Sequence, residues 1–329
     1  MDVATRRGGD WLIVELGDRQ VAGLLDEPNV RALYTALRDT LDDAGGRPVQ
    51  DRRATDCCTW RRTQPARFYP RPYPPGVTTT AGSNAFDQGS FLARFDWGEA
   101  GLDTLSRGAD VVVLVDVLSF TTAVDVGVSR GANVYPCHVR DATPAAFAQQ
   151  LGAVLAVDRR HASPEQPFSL SPRSLATLPA GTRLVLPSPN GSALTLLAAD
   201  HHGVVLAGCL RNAHAVAVAA QQLGGTVAII AAGEHRPDGT LRFALEDLVG
   251  AGAILSHFAS DARSPEAEVA VAGFQHLVAD LARHLRACAS GRELAALGFV
   301  DDVTLAAELD VSDAVPIFKR GAYTPHAGA

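Results

Sequence analysis

The sequence predicts an α/β layered domain over residues 89–329, and three observations predict it. From Ser90 onward, short apolar runs such as 111–115 and 227–230, bounded by Gly, Pro or charge, alternate with Ala-rich stretches of helical length. Strand ends recur directly beside helix starts, as in a layered sheet with crossover helices. The residues before 89 lack this rhythm. At 329 residues and 47% hydrophobic, the chain is long enough to bury a large core in one or two domains.

Taken in order, residues 91–95 read as a strand, 99–107 as a helix, 110–115 as a buried strand, 121–130 as the helix after it and 133–138 as a strand. The scheme continues with strand 183–187, helix 192–198, strand 204–207, helix 213–222, strand 227–231 and helix 245–260. Before these lies an expected N-terminal extension and linker, 1–88, partly disordered. Within it 11–16 reads as a strand, and Val30, Leu33, Tyr34, Leu37 and Leu41 recur at helical spacing behind Asn29. Residues 52–83, rich in Arg, Pro and Thr, suit a solvated linker, because successive prolines remove the N–H donors that a helix or central strand needs.

No apolar run approaches the roughly 20 residues needed to cross a bilayer, so no membrane span is expected. The start, 1–10, has no apolar segment of a secretory signal, and the cytoplasm is the expected compartment. Five scattered cysteines argue against a disulfide framework, and the adjacent Cys57 and Cys58 lack the spacing of a zinc site. A net charge of −7 would repel a phosphate backbone, so nucleic acid is not an expected partner. Ala-rich helices permit a homodimer without demanding one.

Four strand–helix junctions carry the candidate chemistry, because ligands of open α/β sheets lie outside the carboxyl ends of the strands. In the first, the run Val111–Val115 ends on Asp116, followed by Ser119, Thr121 and Thr122. Asp116 is the leading catalytic candidate, since a strand-end carboxylate can hold a hard cation while hydroxyls and helix N-terminal amides receive phosphate oxygens. The plainer reading, a threonine capping a helix and an aspartate accepting turn hydrogen bonds, stays open. The second junction, Pro187-Ser188-Pro189-Asn190-Gly191-Ser192, has the makings of an anion cradle: Ser188 and Asn190 are polar, and Gly191 allows close backbone approach. Asn-Gly is equally an ordinary turn pair.

In the third, Gly208-Cys209-Leu210-Arg211-Asn212, Asn212 stands at a cap position and Arg211 is either an anion contact or surface charge. Cys209 reads as a small core residue. The fourth carries Gly233-Glu234 and then Glu246-Asp247 at the start of an apolar helix. Acids in a first helical turn need no function, since the helix dipole favours them. If the strand ends converge, however, Asp116, Glu246 and Asp247 form a carboxylate cluster that calls for a cation, and magnesium suits it best. The histidines show no ligand spacing and read as surface or core residues.

Taken together and in order, these junctions resemble the 2-phosphosulfolactate phosphatase family over roughly residue 91 to the C-terminus. Asp116-Val-Leu-Ser-Phe-Thr-Thr122 matches the family's Asp-Val-Leu-Arg-Ala-Thr/Ser-Thr/Ser stretch, and Pro189-Asn190-Gly191-Ser192 matches its Thr-Asn-Gly-Thr loop. Leu210-Arg211-Asn212-Ala213 is similar to its Leu-Asn-Ala helix start, and Glu246-Asp247-Leu248 with Ala251-Gly252 to its Glu-Asp-Leu and Ala-Gly pattern. The resemblance implies a three-layer α/β/α sandwich with a mixed sheet. It also implies a magnesium-dependent hydrolase acting on a small anionic phosphoester, 2-phospho-3-sulfolactate, in the chemistry that leads to coenzyme M in methanogens. Two departures stand out. Ser119 occupies a position where the family commonly has Arg, and its Arg-Gly and Gly-Asn-Ser-Pro segments read here as Asp158-Arg159-Arg160 and Ser169-Leu170-Ser171-Pro172. Arg159, Arg160, Arg173 and Arg211 are candidates to compensate. A rival reading keeps the fold without turnover, as a phospho-ligand or sulfonate-binding protein.

Overall fold

A computed structural model describes residues 2–7, 10–15, 86–138, 143–201 and 203–326. The chain divides into two compact units, Met1–Arg71 and Pro72–Ala329. In the first, β1 (Asp2–Arg7) pairs antiparallel with β2 (Asp10–Glu15), which falls on the strand expected at 11–16. The helix expected around 30–41 and the linker expected at 52–83 lie outside the described residues.

The second unit follows the predicted alternation closely. It runs β3 (Ala93–Trp97), α1 (Gly98–Ser106), β4 (Val111–Val115), α2 (Phe120–Ser129), β5 (Asn133–Cys137), α3 (Pro144–Leu151), β6 (Val154–Leu155), α4 (Pro172–Leu175) and β7 (Arg183–Pro187). It continues with α5 (Gly191–His201), β8 (Val205–Gly208), α6 (Ala213–Leu223), β9 (Val227–Ala231), β10 (Glu234–His235), β11 (Leu241–Arg242) and α7 (Leu245–Leu255). The C-terminal part adds α8 (Pro265–Leu277), α9 (Leu281–Ala287), α10 (Ala289–Ala296), α11 (Val300–Ala306), β12 (Pro316–Lys319) and β13 (Ala322–Pro325). The helix expected over 245–260 stops at Leu255, and a 3-10 turn at Ser260–Ala262 follows.

Among the described residues the main sheet has nine strands in the order β3-β9-β4-β8-β12-β13-β5-β7-β6. Two parallel blocks, β3-β9-β4-β8 and β5-β7-β6, are joined by the antiparallel hairpin β12–β13, with Ile317 opposite Leu206 and Tyr323 opposite Val134. The sheet is therefore mixed, and the two blocks run in opposite senses along the ladder.

Strand β4 shows why the sheet is covered on both faces. All five of its residues are buried, and side chains alternate across a strand. Val111, Val113 and Val115 join a core with Val216, Ala217, Val249, Ile254 and Val271 from α6, α7 and α8. Val112 and Leu114 join the opposite core with Leu102, Leu105, Leu194 and Ala198 from α1 and α5. This is the three-layer α/β/α sandwich, and each buried Val or Leu contributes about 1.5–3 kcal/mol of apolar transfer.

Helix α7 brings the fourth junction to the first. A Cβ on Gly252 would stand 2.1 Å from the carbonyl oxygen of Ala270, so the missing side chain is what lets α7 lie against α8. That packing fixes where its first turn, Leu245-Glu246-Asp247, meets the end of β4.

Candidate active site

The loop after β4 is folded by its own hydroxyls. The Asp116 N–H donates to Thr121 Oγ1 (2.9 Å), that hydroxyl donates to the Asp116 carbonyl (2.8 Å), and the Thr122 hydroxyl donates to the Val117 carbonyl (2.8 Å). Both threonines are fully buried. Both hydroxyls donate to the backbone that carries Asp116. Free to accept, the Asp116 carboxylate takes the Phe120 N–H (3.1 Å) at the start of α2 and the N–H of Gly191 from the second junction.

Gly191 is required for that approach. A Cβ there would meet the Phe120 ring at 2.2 Å, so any side chain would drive the two loops apart. Next to it Asn190 donates through Nδ2 to Glu234 Oε2 (3.0 Å), and its Oδ1 lies 2.9 Å from His235 Nδ1. Ser188 is buried in the same loop, and the Ser192 hydroxyl donates to the Leu186 carbonyl.

From the fourth junction, Asp247 ties β4 and β9 together: its carboxylate accepts the N–H groups of Val117 (2.8 Å) and Gly233 (2.9 Å). Glu246, 2% exposed, has an Oε2 that is buried without a hydrogen-bond partner in the protein. The Cys288 thiol lies against this residue, pushed up to about 12 by burial first and by the Glu246 charge next.

Electrostatics record how close the acids are. Asp116 is raised from its ordinary value to about 7, first by burial, against which the Phe120 amide works, and then by the charges of Glu234 and Glu246. Asp247 is raised by burial and then by the charges of Asp116 and Glu246. Glu234, from the rim, is raised by burial, with Asn190 and Arg242 opposing. The first, second and fourth junctions thus meet at one acidic pit. Among the described residues no three His, Cys, Asp or Glu side chains are already disposed as a metal cage. A hard divalent cation nevertheless fits the donor chemistry, because four carboxylates crowd together and one buried oxygen lacks any partner.

At the third junction the polar side chains are taken up by the protein itself. Asn212 Oδ1 accepts the Cys209 N–H (2.9 Å), and its Nδ2 donates to the carbonyls of Ala207 (3.3 Å) and Ala314 (3.1 Å). Arg211 donates to the buried Asp125 (3.0 Å) and to the Leu305 carbonyl, and also pairs with Glu308. Both residues hold the chain in place through these bonds. Cys209 is fully buried and its thiol raised by that burial, as a core residue should be.

Arg159 reaches the loop after β4. It donates to the Ser119 hydroxyl (2.5 Å) and to the Leu170 carbonyl (3.2 Å), pairs with the buried Asp302 (3.4 Å), and lies over the Phe299 ring at 5.7 Å. Asp302 also accepts the Ser171 hydroxyl (2.5 Å). Arg159 and Arg160 line a cavity of about 530 Å³ with Leu170, Pro187, Pro189 and Phe299. Nothing local in the sequence marks Asp302, which lies 143 residues from Arg159.

A model of the 2-phosphosulpholactate phosphatase family matches residues 102–321, a span that takes in all four junctions, the Arg159 segment and β12. The chain belongs to the 2-phosphosulfolactate phosphatase family. It is 31% identical over 218 residues to the 2-phosphosulfolactate phosphatase of Methanothermobacter thermautotrophicus, covering 65% of this chain and 89% of that relative. A probable 2-phosphosulfolactate phosphatase of Carboxydothermus hydrogenoformans is 31% identical over 214 residues, covering 62% and 84%. One of Gloeobacter violaceus is 29% identical over 213 residues, covering 63% and 87%. Family membership bears out the resemblance read from the motifs, and the fold places three of the four together.

Proposed function

We propose that this chain hydrolyses a small phosphoester, 2-phospho-3-sulfolactate in the first instance, to the free alcohol and phosphate in a magnesium-dependent reaction. The observation that carries the reading is the convergence of Asp116, Glu246 and Asp247 beside the Gly191 amide. Asp116 and Glu246 are the proposed metal ligands, Glu246 through the oxygen that no protein donor meets, while Asp247 braces the loops from below. When bound, the cation supplies positive charge to the phosphoryl oxygens and lowers the pKa of a coordinated water. The chain's own part is orientation: the amides at the start of α5 face the remaining phosphoryl oxygens, and Arg159 beside Ser119 offers charge to an acidic group on the organic part. Thr121, Thr122, Arg211 and Asn212 are positioning residues.

Phosphate release from 2-phospho-3-sulfolactate, followed with magnesium and then with EDTA, tests the proposal. Activity is expected with magnesium and absent with EDTA, and Asp116→Asn is expected to lower kcat by at least about 10²-fold. Binding of the phosphoester without turnover by the wild type would favour the rival, a phospho-ligand-binding protein. Unchanged activity in Asp116→Asn would remove the metal site.

A further inference from the structure

We propose that His235 is the proton donor to the leaving group, aimed by an Asn190–Glu234 relay at the rim of the acidic pit. The inference rests on the phosphatase reading above and adds a residue whose type the site otherwise lacks. A secondary alkoxide is a poor leaving group, and its departure is eased when a positioned acid supplies a proton as the P–O bond breaks.

The relay settles how the ring is held. Glu234 Oε2 accepts from Asn190 Nδ2 at 3.0 Å, so the amide must turn its oxygen toward His235, whose Nδ1 lies 2.9 Å away. A carbonyl oxygen only accepts, which makes Nδ1 the protonated, donating nitrogen. Nε2 is then the nitrogen left to exchange a proton with a ligand. Both flanks of the ring are anchored to the pit. Asn190 precedes Gly191, whose amide donates to Asp116, and Glu234 follows Gly233, whose amide donates to Asp247. His235 itself is exposed, on the short strand β10 that pairs with β11, so a substrate can reach it without rearrangement of the core. Glu234 is one hydrogen-bonded step away through Asn190, and the Arg242 guanidinium donates to Ser290.

Proton bookkeeping closes. Water oxygen bonds to phosphorus and the bond from phosphorus to the organic oxygen breaks. The leaving oxygen takes the proton from His235 Nε2, the attacking water releases one proton to solvent, and the ring is reprotonated from solvent. The products are the alcohol and hydrogen phosphate.

Dependence on the leaving group separates this role from a structural one. Wild type and His235→Gln are compared on 2-phospho-3-sulfolactate, whose alkoxide needs the proton, and on p-nitrophenyl phosphate, whose phenolate does not. His235→Gln is expected to lose about 10²–10³-fold in kcat on the alkyl ester and to stay within about threefold on the aryl ester. Equal loss on both esters, or no loss on either, would overturn the assignment. Asn190→Leu, which removes the aim and keeps the ring, is expected to show the same selective pattern, though weaker. A wild type inactive on both esters would instead bring down the phosphatase reading, and this inference with it. Wild-type turnover with an unselective variant would sink the inference alone.

Discussion

Asp116 is held in place by a residue whose hydroxyl is spent on the backbone. Thr121 both accepts the Asp116 N–H and donates to the Asp116 carbonyl, so one hydroxyl fixes the backbone at the point where strand becomes loop. Thr121→Val keeps the volume and removes the acceptor, leaving a buried N–H unpaired at a cost of about 1–3 kcal/mol. The expected outcome is a Tm lower by several degrees and a fall in kcat of at least about tenfold, with Thr121→Ser restoring most of both, since its hydroxyl can make the same bonds. Thermal melts and initial rates on the three proteins check this. A Thr121→Val protein with full stability and rate would show that the loop holds its shape without the hydroxyl. At this scale the sequence was informative about which residues gather and less so about their tasks. Asp116, Glu246 and Asp247 were legible as strand-end and helix-start acids, but Thr121, Thr122 and Asn212 have the same residue types whether they face a ligand or a backbone carbonyl. Arg211 illustrates the limit. Its partner Asp125 lies 86 residues earlier in α2, and no local pattern announces an ion pair of that separation.

Elements were read better where they were local. The apolar runs gave β4, β8 and β9 to within one residue, because a strand buried on both faces needs continuous Val, Leu and Ile. Invisible in the sequence was the β12–β13 hairpin, which enters the middle of the sheet although it follows all the sheet's other strands in the chain. Its neighbours β8 and β5 are more than 100 and 180 residues away, and pairing at that range leaves only period-two alternation in a four-residue strand. The contact of α7 with α8 was equally hidden, yet it makes a sharp test. Gly252→Ala places a methyl 2.1 Å from the Ala270 carbonyl oxygen, a contact that only a shift of one helix can relieve. Overpacking of this kind costs about 1–3 kcal/mol, and the displaced first turn should carry Glu246 and Asp247 away from Asp116. Denaturant melts should show the loss of stability, and isothermal titration should show weaker magnesium binding. Wild-type values in both would mean that the two helices have room to spare.

For the whole molecule, the same cluster sets a dependence of stability on pH that runs against the usual acid denaturation. Asp116 is raised to about 7, and Asp247, Glu234, Asp125 and Asp96 are raised as well, burial being the first cause in each. Between about pH 4 and pH 7 the folded protein therefore holds protons that the unfolded chain has already released. Stability must then fall as pH rises through that window. The carboxylates held low, Asp110, Asp158, Glu165 and Asp238, act in the opposite sense only near and below their ordinary values. Above pH 5 they are ionised in both states and contribute a constant. His257, lowered first by burial, adds stability as pH rises toward its ordinary value of 6.5 and a constant amount above it, but it is one partly exposed ring against several buried acids. In EDTA the Tm of the domain should thus decline from pH 5 to pH 7.5, each kcal/mol lost being worth roughly 2–4 °C for a domain of this size. A cation that binds the ionised cluster reverses the sign, since it stabilises only the deprotonated fold and releases protons as it binds. Melting curves followed by circular dichroism in excess magnesium should flatten or invert the decline, and Asp116→Asn should reduce it in EDTA by removing one titrating acid. A Tm that rises steadily from pH 5 to pH 7.5 without metal would mean that these acids are ionised in the fold at no cost, and the crowded pit would lose its claim on a cation.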